Sequence, residues 1–569
     1  MATQPTSRTP QGYFSVWQRL LRGYGPLVVF AILIALIAVL VPSKAPKSTL
    51  AAAGGDVAPG SSGAGVSSGS GVPASGSGSS TPGAGTAAGG AGGSNSGGGS
   101  ASGGNKASSA PGVVTQCGTR SLQVPNDPYS PPCINFSGNN GGTTYKGVTS
   151  NEIHIAYRVT QDKGFQQTLA ELAGANLQDT PADIERTISA LAQYFNTHYQ
   201  LYGRKIVIDY YNGQGQLTNE LLGNGQAQAD ADALTVGQQM KSFGDLSAQS
   251  EPYADALARQ AVMGFGDPYM SQAWHQQHAP YIWSIAVDGT KVASFAAEYE
   301  GKKLCPAGSP AKYAGGNLKD KPRKFASLAP ENSWYQEAVQ VARKVVQSYH
   351  CDPGENIEYQ LDLSTMSNQA ANIISKLQSD GVTTILCGCD PIIPVFLSGV
   401  AARQGYFPEF VITGTALTDQ DVVGQLWTQS FAAHAFGISP NNAPVPSTQT
   451  LGYAAYKTVR QDEPAFGVEI IYYQMAMLAL GIQMAGPNLT PQTFQAGMRA
   501  FPPKVGPAGL WSFGQGNYTI GEDVREICWS TSQISGYNQK QGAYFGTSSQ
   551  RWTQGNIPGG PVGCPVPTS

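Results

Sequence analysis

Four short runs carry side chains able to hold a small molecule: Ser247-Ala248-Gln249-Ser250, Gly266-Asp267-Pro268-Tyr269, Asn332-Ser333-Trp334-Tyr335 and Cys387-Gly388-Cys389-Asp390. The first offers hydroxyls and backbone N–H groups to an anion, or equally a cap for a helix starting near Pro252. The second reads from its residue types as an Asp-Pro turn. In the third, an aromatic pair directly after a loop is hard to justify as core, so it is expected to face a ligand. In the fourth, Asp390 either meets a ligand cation or caps the helix that Pro391 opens. Cys387 and Cys389 are expected to bond elsewhere, because a bridge across one residue is strained, and CxC is a weak redox signal. His275 and His278 have helical spacing that could ligate a metal. Two ligands without a nearby acid are too few, so neither a metal nor a cofactor is expected. The chain has no GxSxG elbow between a strand and a helix, no HExxH and no P-loop, and its six histidines lie in no triad context, so catalysis is not expected.

The chain has 569 residues, enough for two or more lobes, and a net charge of −3 with only 12% charged residues. Such a balance provides no basic field for nucleic-acid phosphates. Residues 23–42, Gly23 to Pro42, are uncharged and mostly Leu, Ile, Val and Ala. At ~1.5 Å per residue such a helix just spans a hydrocarbon core of ~30 Å. Arg8, Arg19 and Arg22 on its N-terminal flank favour a cytoplasmic segment at 1–22, although Lys44 and Lys47 dilute the bias. A cleaved signal peptide processed near Ala51-Ala52-Ala53 is the rival, and either reading exports the remainder. Residues 43–116 are almost wholly Gly, Ser, Ala, Pro and Thr, a composition expected to stay disordered and to set its ends roughly 45–50 Å apart. Eight cysteines in an exported chain point to disulfides. Cys117 with Cys133, bracketing a Pro-rich lead-in at 117–148, is the first local candidate, Cys305 with Cys351 the second, and Cys528 and Cys564 complete the set.

The elements that must position these runs alternate in type. Residues 152–159 (EIHIAYRV) alternate as a strand does. Pro181 and Asp183 open an amphipathic helix through Tyr199, with Ile184, Ile188, Leu191 and Phe195 on one face, and KIVIDYY at 205–211 follows as a strand. This β-α-β unit predicts parallel pairing with a right-handed crossover. Further strands are predicted at 242–246, 261–265 and 281–286. A second series begins at 324–328 and runs through helices at 334–348, 366–379 and 391–404, with strands at 357–361, 383–387 and 410–413. Two apolar helices (448–460 and 468–484, the latter holding Tyr472 and Tyr473 in the core) precede a strand-rich end at 510–529. Two such series imply two doubly wound α/β lobes with a cleft between them.

In order along the chain, GVTSNEIHIAYRV, GRKIVIDYYNGQGQ, KPRKFASLAPENSWYQEAVQVARKVV, the stretch from SNQAANIISKL to FPEFVITG, and GLWSFGQGNYTIGEDVREICW resemble the type I periplasmic binding proteins of the Leu/Ile/Val-binding kind, over about residues 147–552. The resemblance implies two α/β lobes joined by three crossing segments (placed near 285–295, 436–440 and 504–510), with ligand held in the interlobe cleft. It implies lobe 1 at 149–290 plus 437–505, lobe 2 at 291–436 plus 506–552, and a tail at 553–569. Ser247, Gln249, Ser250, Gly266, Asp267, Trp334, Tyr335, Cys389, Asp390 and Thr415 would face that ligand. The expected function is extracytoplasmic capture of a small polar solute, like an amino acid, amide or short peptide, for delivery to an ABC-type permease. The strand at 410–413 ends in Gly414-Thr415-Ala416, without the carboxylate that receives an amino group in the family, which puts leucine-like ligands in doubt. The alternatives are a membrane-tethered ligand sensor or a cell-surface interaction protein with a degenerate cleft.

Overall fold

The computed structural model describes residues 112–160, 179–266, 269–306 and 308–567. The expected membrane span, the linker up to residue 111 and Asp267 lie outside the described residues. The first sheet begins with β1 (Glu152–Val159) and β2 (Lys205–Asn212), paired in parallel over their full length. Between them α1 (Pro181–His198) starts where Thr180 and Asp183 cap each other's backbone N–H, with Pro in its first turn, and buries Ile188, Leu191 and Phe195. Then come α2 (Leu217–Leu221), α3 (Gln226–Leu234) with a π-helical turn at Thr235–Met240, β3 (Gly244–Asp245), α4 (Glu251–Arg259), β4 (Met263–Gly266), α5 (Gln272–Gln277) and β5 (Ile282–Ser284). The strand order is β2-β1-β3-β4-β5, all parallel.

The chain crosses to the second lobe with α6 (Gly289–Tyr299), capped by Asp288, which runs into a π-helical turn at Glu300–Leu304. There follow β6 (Phe325–Pro330), α7 (Ser333–Ser348), β7 (Glu355–Tyr359), α8 (Met366–Ser379), β8 (Thr384–Cys387), α9 (Ile393–Gln404), β9 (Glu409–Ile412), the short α10 (Asp421–Gly424) and α11 (Gln429–Ala432), and β10 (Ala435–Ser439). These strands repeat the first pattern, β7-β6-β8-β9-β10 in parallel. The chain then returns to the first lobe as α12 (Leu451–Lys457), α13 (Val468–Ala485), α14 (Pro491–Ala500) and the hairpin β11 (Lys504–Gly506) and β12 (Gly509–Trp511). It ends on the second sheet, where β13 (Asp523–Ile534) pairs antiparallel with β10, and β14 (Gln541–Phe545) and β15 (Trp552–Thr553) pair with β13.

Trp511, Phe513, Tyr518 and Ile520 pack in the first lobe's core with Trp283. The last passage between lobes therefore follows Ile520, later than the 504–510 suggested by sequence, because these aromatic side chains find their apolar partners in the first lobe. There Lys291 at the start of α6 donates to Asn517 Oδ1 (2.7 Å), Thr519 Oγ1 (3.1 Å) and Glu522 Oε1 (2.6 Å), tying the first and third passages together. Cys117–Cys133, Cys305–Cys351 and Cys528–Cys564 are disulfides. Cys387–Cys389 is a fourth, against the expectation that each would bond elsewhere. Both sulfurs are buried in the second core, and the other six cysteines are already paired.

Helix α13 has a mean hydropathy of 1.3 over 18 residues, enough to cross a membrane, yet most of it is buried inside the protein. Its burial accounts for its composition: α1, α12 and α14 pack around it, and the lead-in covers it further. Tyr129 of the lead-in stacks on Trp511 at 4.3 Å and donates its hydroxyl to the Gly509 carbonyl at 2.8 Å. Asp127 accepts from the Tyr472 hydroxyl (2.6 Å) and from the Tyr129 N–H (2.8 Å), joining lead-in to helix. Asp127→Ala leaves both donors buried and unpaired, and should cost ~2–3 kcal/mol in urea unfolding; Asp127→Asn, which keeps an acceptor, should cost less than half as much.

Candidate functional site

Each sheet reverses its strand order beside its first strand, between β1 and β3 and between β6 and β8, and the crevice of such a sheet opens there, at the carboxyl ends. On the first lobe that place is filled by charge. Arg158, near the end of β1, is buried and grips Glu220 of α2 with both terminal nitrogens, Nη1 to Oε1 at 2.8 Å and Nη2 to Oε2 at 2.7 Å. Nη1 also reaches Asp232 Oδ2 at 3.2 Å, and the guanidinium lies 3.7 Å over the Tyr253 ring. Burial works against the charge on Arg158, the hydrogen bonds and charge of Glu220 work for it, and with the neighbouring groups the balance favours the cation.

The loop after β3 joins this network. Ser250 donates to Glu220 Oε2 at 2.5 Å, and Ser247 donates to Asp245 Oδ1 at 2.5 Å while accepting from the Arg158 N–H at 3.0 Å. Ser250 thus does hold a carboxylate, but one supplied by α2. Gln249 is half-buried and donates its N–H to the Ser247 carbonyl. Gly266 lies so close to the same loop that a Cβ there would fall 1.9 Å from the Ala248 carbonyl oxygen, so this position needs glycine. The turn after α2 reaches the other lobe: a Cβ on Gly223 would sit 3.2 Å from Trp334 Cη2 and 3.3 Å from Asn332 Nδ2. Trp334 is half-buried against this turn, so α2 occupies the space between Ser250 and Trp334.

On the second lobe the reversal point opens into a cavity of about 60 Å³. It runs beneath α6 and α7, over Ser327 of β6 and Leu386 of β8, toward Glu300 and Pro353. Its width comes from small side chains on the facing sides of the helices, Ala293, Ala296 and Ala297 on α6 and Ala338 and Ala342 on α7. At the strand ends it is bounded by Tyr335, Gly388, Thr413, Thr415 and, from the first lobe, Tyr269. The Tyr269 and Tyr335 rings lie 5.3 Å apart, and the Tyr269 hydroxyl is 3.5 Å from Thr415 Oγ1, which also bonds Thr413 Oγ1 at 2.8 Å. Gly388, the residue between the two bonded cysteines, lines the same wall.

Asp390 is buried, with Oδ2 accepting from the Tyr359 hydroxyl (2.5 Å) and Oδ1 from the Ile392 and Ile393 N–H groups (2.7 and 3.3 Å). This is the helix-start role left open by sequence, and burial pushes its carboxyl above the usual range. Cys389 is wholly buried in its disulfide. Of the residues expected to meet ligand, the structure brings Tyr335 and Thr415 to the cavity, sets Trp334 beside it, and engages Ser247, Ser250 and Asp390 with the protein itself. His278 pairs with Asp255 at 2.9 Å, and burial holds His275 down at about 4.

Sequence reasoning missed Glu300. It follows Ala293, Ala296 and Ala297 at helical spacing, so an acid on a small-residue face was the available signal. Its carboxyl is buried, Oε1 has no hydrogen-bond partner, and burial pushes it up to about 8 although Arg343 pulls the other way.

No protein-family model and no characterised sequence matches this chain. Solved structures do. The solute-binding protein of an ABC transporter from Rhodopseudomonas palustris HaA2, in complex with p-hydroxybenzoic acid, aligns with a TM-score of 0.50 and 13% identity over 71% of this chain and 98% of its own. The fold is that of the type I periplasmic binding proteins. A fatty acid ABC transporter substrate-binding protein from Thermomonospora curvata (TM-score 0.49, 14% identity, 74% of this chain and 97% of that one) also aligns. So does the ABC transporter substrate-binding protein from Desulfitobacterium hafniense in complex with Leu (0.46, 13%, 69% and 100%). Identities this low speak for the binding-protein fold and nothing finer.

Two predictions follow from the charges in this fold. Arg158→Met or Glu220→Leu alone leaves a buried charge without its main partner and should cost ~3–5 kcal/mol, whereas the double substitution should cost less than either, measured by urea unfolding as a double-mutant cycle. Glu300 has a higher pKa folded than its ordinary 4.5, so its stabilising protonated form is complete below about 4.5 and is lost as pH rises toward about 8. Glu300→Gln, which cannot ionise, should therefore gain on the parent by ~3–5 kcal/mol between about pH 4.5 and 8.5 in urea unfolding; a constant difference across that window would contradict the assignment.

Proposed function

We propose that residues 149–552 form an extracytoplasmic solute-binding domain, tethered through 23–42, that closes its lobes on a small solute and hands it to an ABC-type permease. The observation that carries this reading is the meeting of Tyr269 from one lobe with Tyr335 and Thr415 from the other, over the opening of the cavity. A solute touching both sides is held fully only when the lobes are shut, so it draws the population toward the closed form. Release then needs only a partner that favours the open form.

The cavity wall argues for a solute with a mainly apolar body, rather than the amino-acid-like one expected from sequence. The first lobe's anion-holding groups already hold Glu220, the β9 end carries hydroxyls without a carboxylate, and the entrance is formed by two tyrosine rings. The R. palustris protein of the same fold was solved with p-hydroxybenzoic acid, and small aromatic and aliphatic solutes are the first to try here. In a thermal-shift screen of the purified protein with disulfides intact, a solute at a hundredfold excess over its Kd should add ~2.7 kcal/mol. Tyr335→Ala and Thr415→Val should each weaken that solute about tenfold, the worth of one buried contact or hydrogen bond. A screen flat across aromatic, aliphatic, amino-acid, amide and polyol classes would sink the solute-carrier reading in favour of a sensor or surface protein whose partner is another protein.

A further inference from the structure

The cavity beneath α6 and α7 has two properties that a packing defect between helices does not need to combine. Its side walls are alanine and valine, contributed by both helices, and at its far end lies a carboxyl with an unpartnered oxygen. A buried polar atom without a partner is costly to keep, and natural proteins retain few of them. Glu300 opens a π-helical turn, a distortion common at functional sites, and that turn leads directly into Cys305, whose disulfide to Cys351 fixes it against the end of α7. The carboxyl is therefore held at the end of an apolar passage that starts at the proposed solute site.

We propose that this passage is a specificity subsite that takes the slender apolar end of an uncharged solute and hydrogen-bonds its terminal hydroxyl to Glu300. The inference rests on the solute-binding reading above and names the chemistry of its deepest contact. The groups around Glu300 select against both kinds of ion. An ammonium group would require Glu300 ionised and would share the space with the Arg343 guanidinium, which lines the same end from α7. A solute carboxylate would meet another carboxyl beside Val346, Pro353 and the Cys305–Cys351 disulfide, would find the Arg343 guanidinium already donating to the Gly354 carbonyl, and would leave most of its hydration behind. A hydroxyl both donates and accepts, so it pairs with Glu300 whether that carboxyl carries its proton or not. Width sets the second criterion: alanine side chains face one another across the passage and the volume is small, so the solute's inner end must be slender.

The test compares three four-carbon probes on the purified full-length protein, 1-butanol, butylammonium and butyrate, by calorimetric titration at neutral pH. The parent should bind 1-butanol about tenfold more tightly than either ion, the difference one desolvated charge readily supplies. Glu300→Gln, which keeps a donor and an acceptor, should retain that order. Glu300→Leu should bring 1-butanol down to the affinity of 1-chlorobutane, which has no hydroxyl. Ala342→Met, a flexible side chain placed at the half-buried edge of the passage, should weaken 1-butanol while leaving Tyr335-dependent binding of shorter solutes intact. Equal binding of the ions, unchanged hydroxyl preference in Glu300→Leu, or no binding of 1-butanol to the parent would each overturn the subsite. A solute that depends on Tyr335 but is indifferent to Glu300 and Ala342 would overturn the subsite alone, whereas a protein that binds none of the probes and none of the screened solutes would overturn both readings.

Discussion

A parallel sheet must return its chain over one face between successive strands, and where the direction of return switches, two neighbouring loops part and leave a crevice at the carboxyl ends. Both sheets here switch beside their first strand, in the orders β2-β1-β3-β4-β5 and β7-β6-β8-β9-β10. Arg158 and the Ser247–Ser250 loop stand at that point on one lobe, Tyr335 and Gly388 on the other, while Tyr269 and Thr415 follow the neighbouring strands β4 and β9 and Glu300 lies at the end of α6. The antiparallel β13, β14 and β15 extend the second sheet on its far edge and take no part. Lys291 fastens the segments passing between lobes, so the two crevices face each other across a common hinge.

The two halves of the site solve opposite electrostatic problems. The first lobe buries an arginine and satisfies it within the chain, with Glu220, Asp232, Tyr253 and Ser250 arranged around it. A cation so well partnered has little left to offer a solute. The second lobe buries an acid, Glu300, and leaves one of its oxygens without a partner among alanines. Desolvation, opposed only by the weaker pull of Arg343, raises that carboxyl well above its ordinary range. Chemistry available to a guest is thus concentrated in the second lobe, while α2 closes the first against Trp334.

Much of the fold was legible because period and length carry it. The helix predicted over 366–379 matches α8 to the residue, and the strand over 152–159 matches β1. Shorter strands were predicted too long at 242–246, since only Gly244 and Asp245 pair. The site was legible only in part. Tyr335 and Thr415 could be placed because a strand end followed by a loop marks the carboxyl edge of a sheet. Glu300 could not, since its significance comes from α7 lying across α6. The Cys387–Cys389 bond was discounted on local geometry.

What the sequence by itself determined is what depends on neighbours along the chain: the alternation of strand and helix, the helix start at Pro181 and Asp183, and the loops that follow β3, β6 and β8. Only the tertiary structure decided which polar groups remain available. Ser250, Glu220 and Arg158 are separated by up to 92 residues in number yet satisfy one another. Glu300 stays unpartnered because two alanine faces meet beside it. Hydrogen bonding and desolvation act between groups brought together from distant parts of the chain, so spacing in sequence shows which side chains reach the cleft but not which of them arrive already engaged.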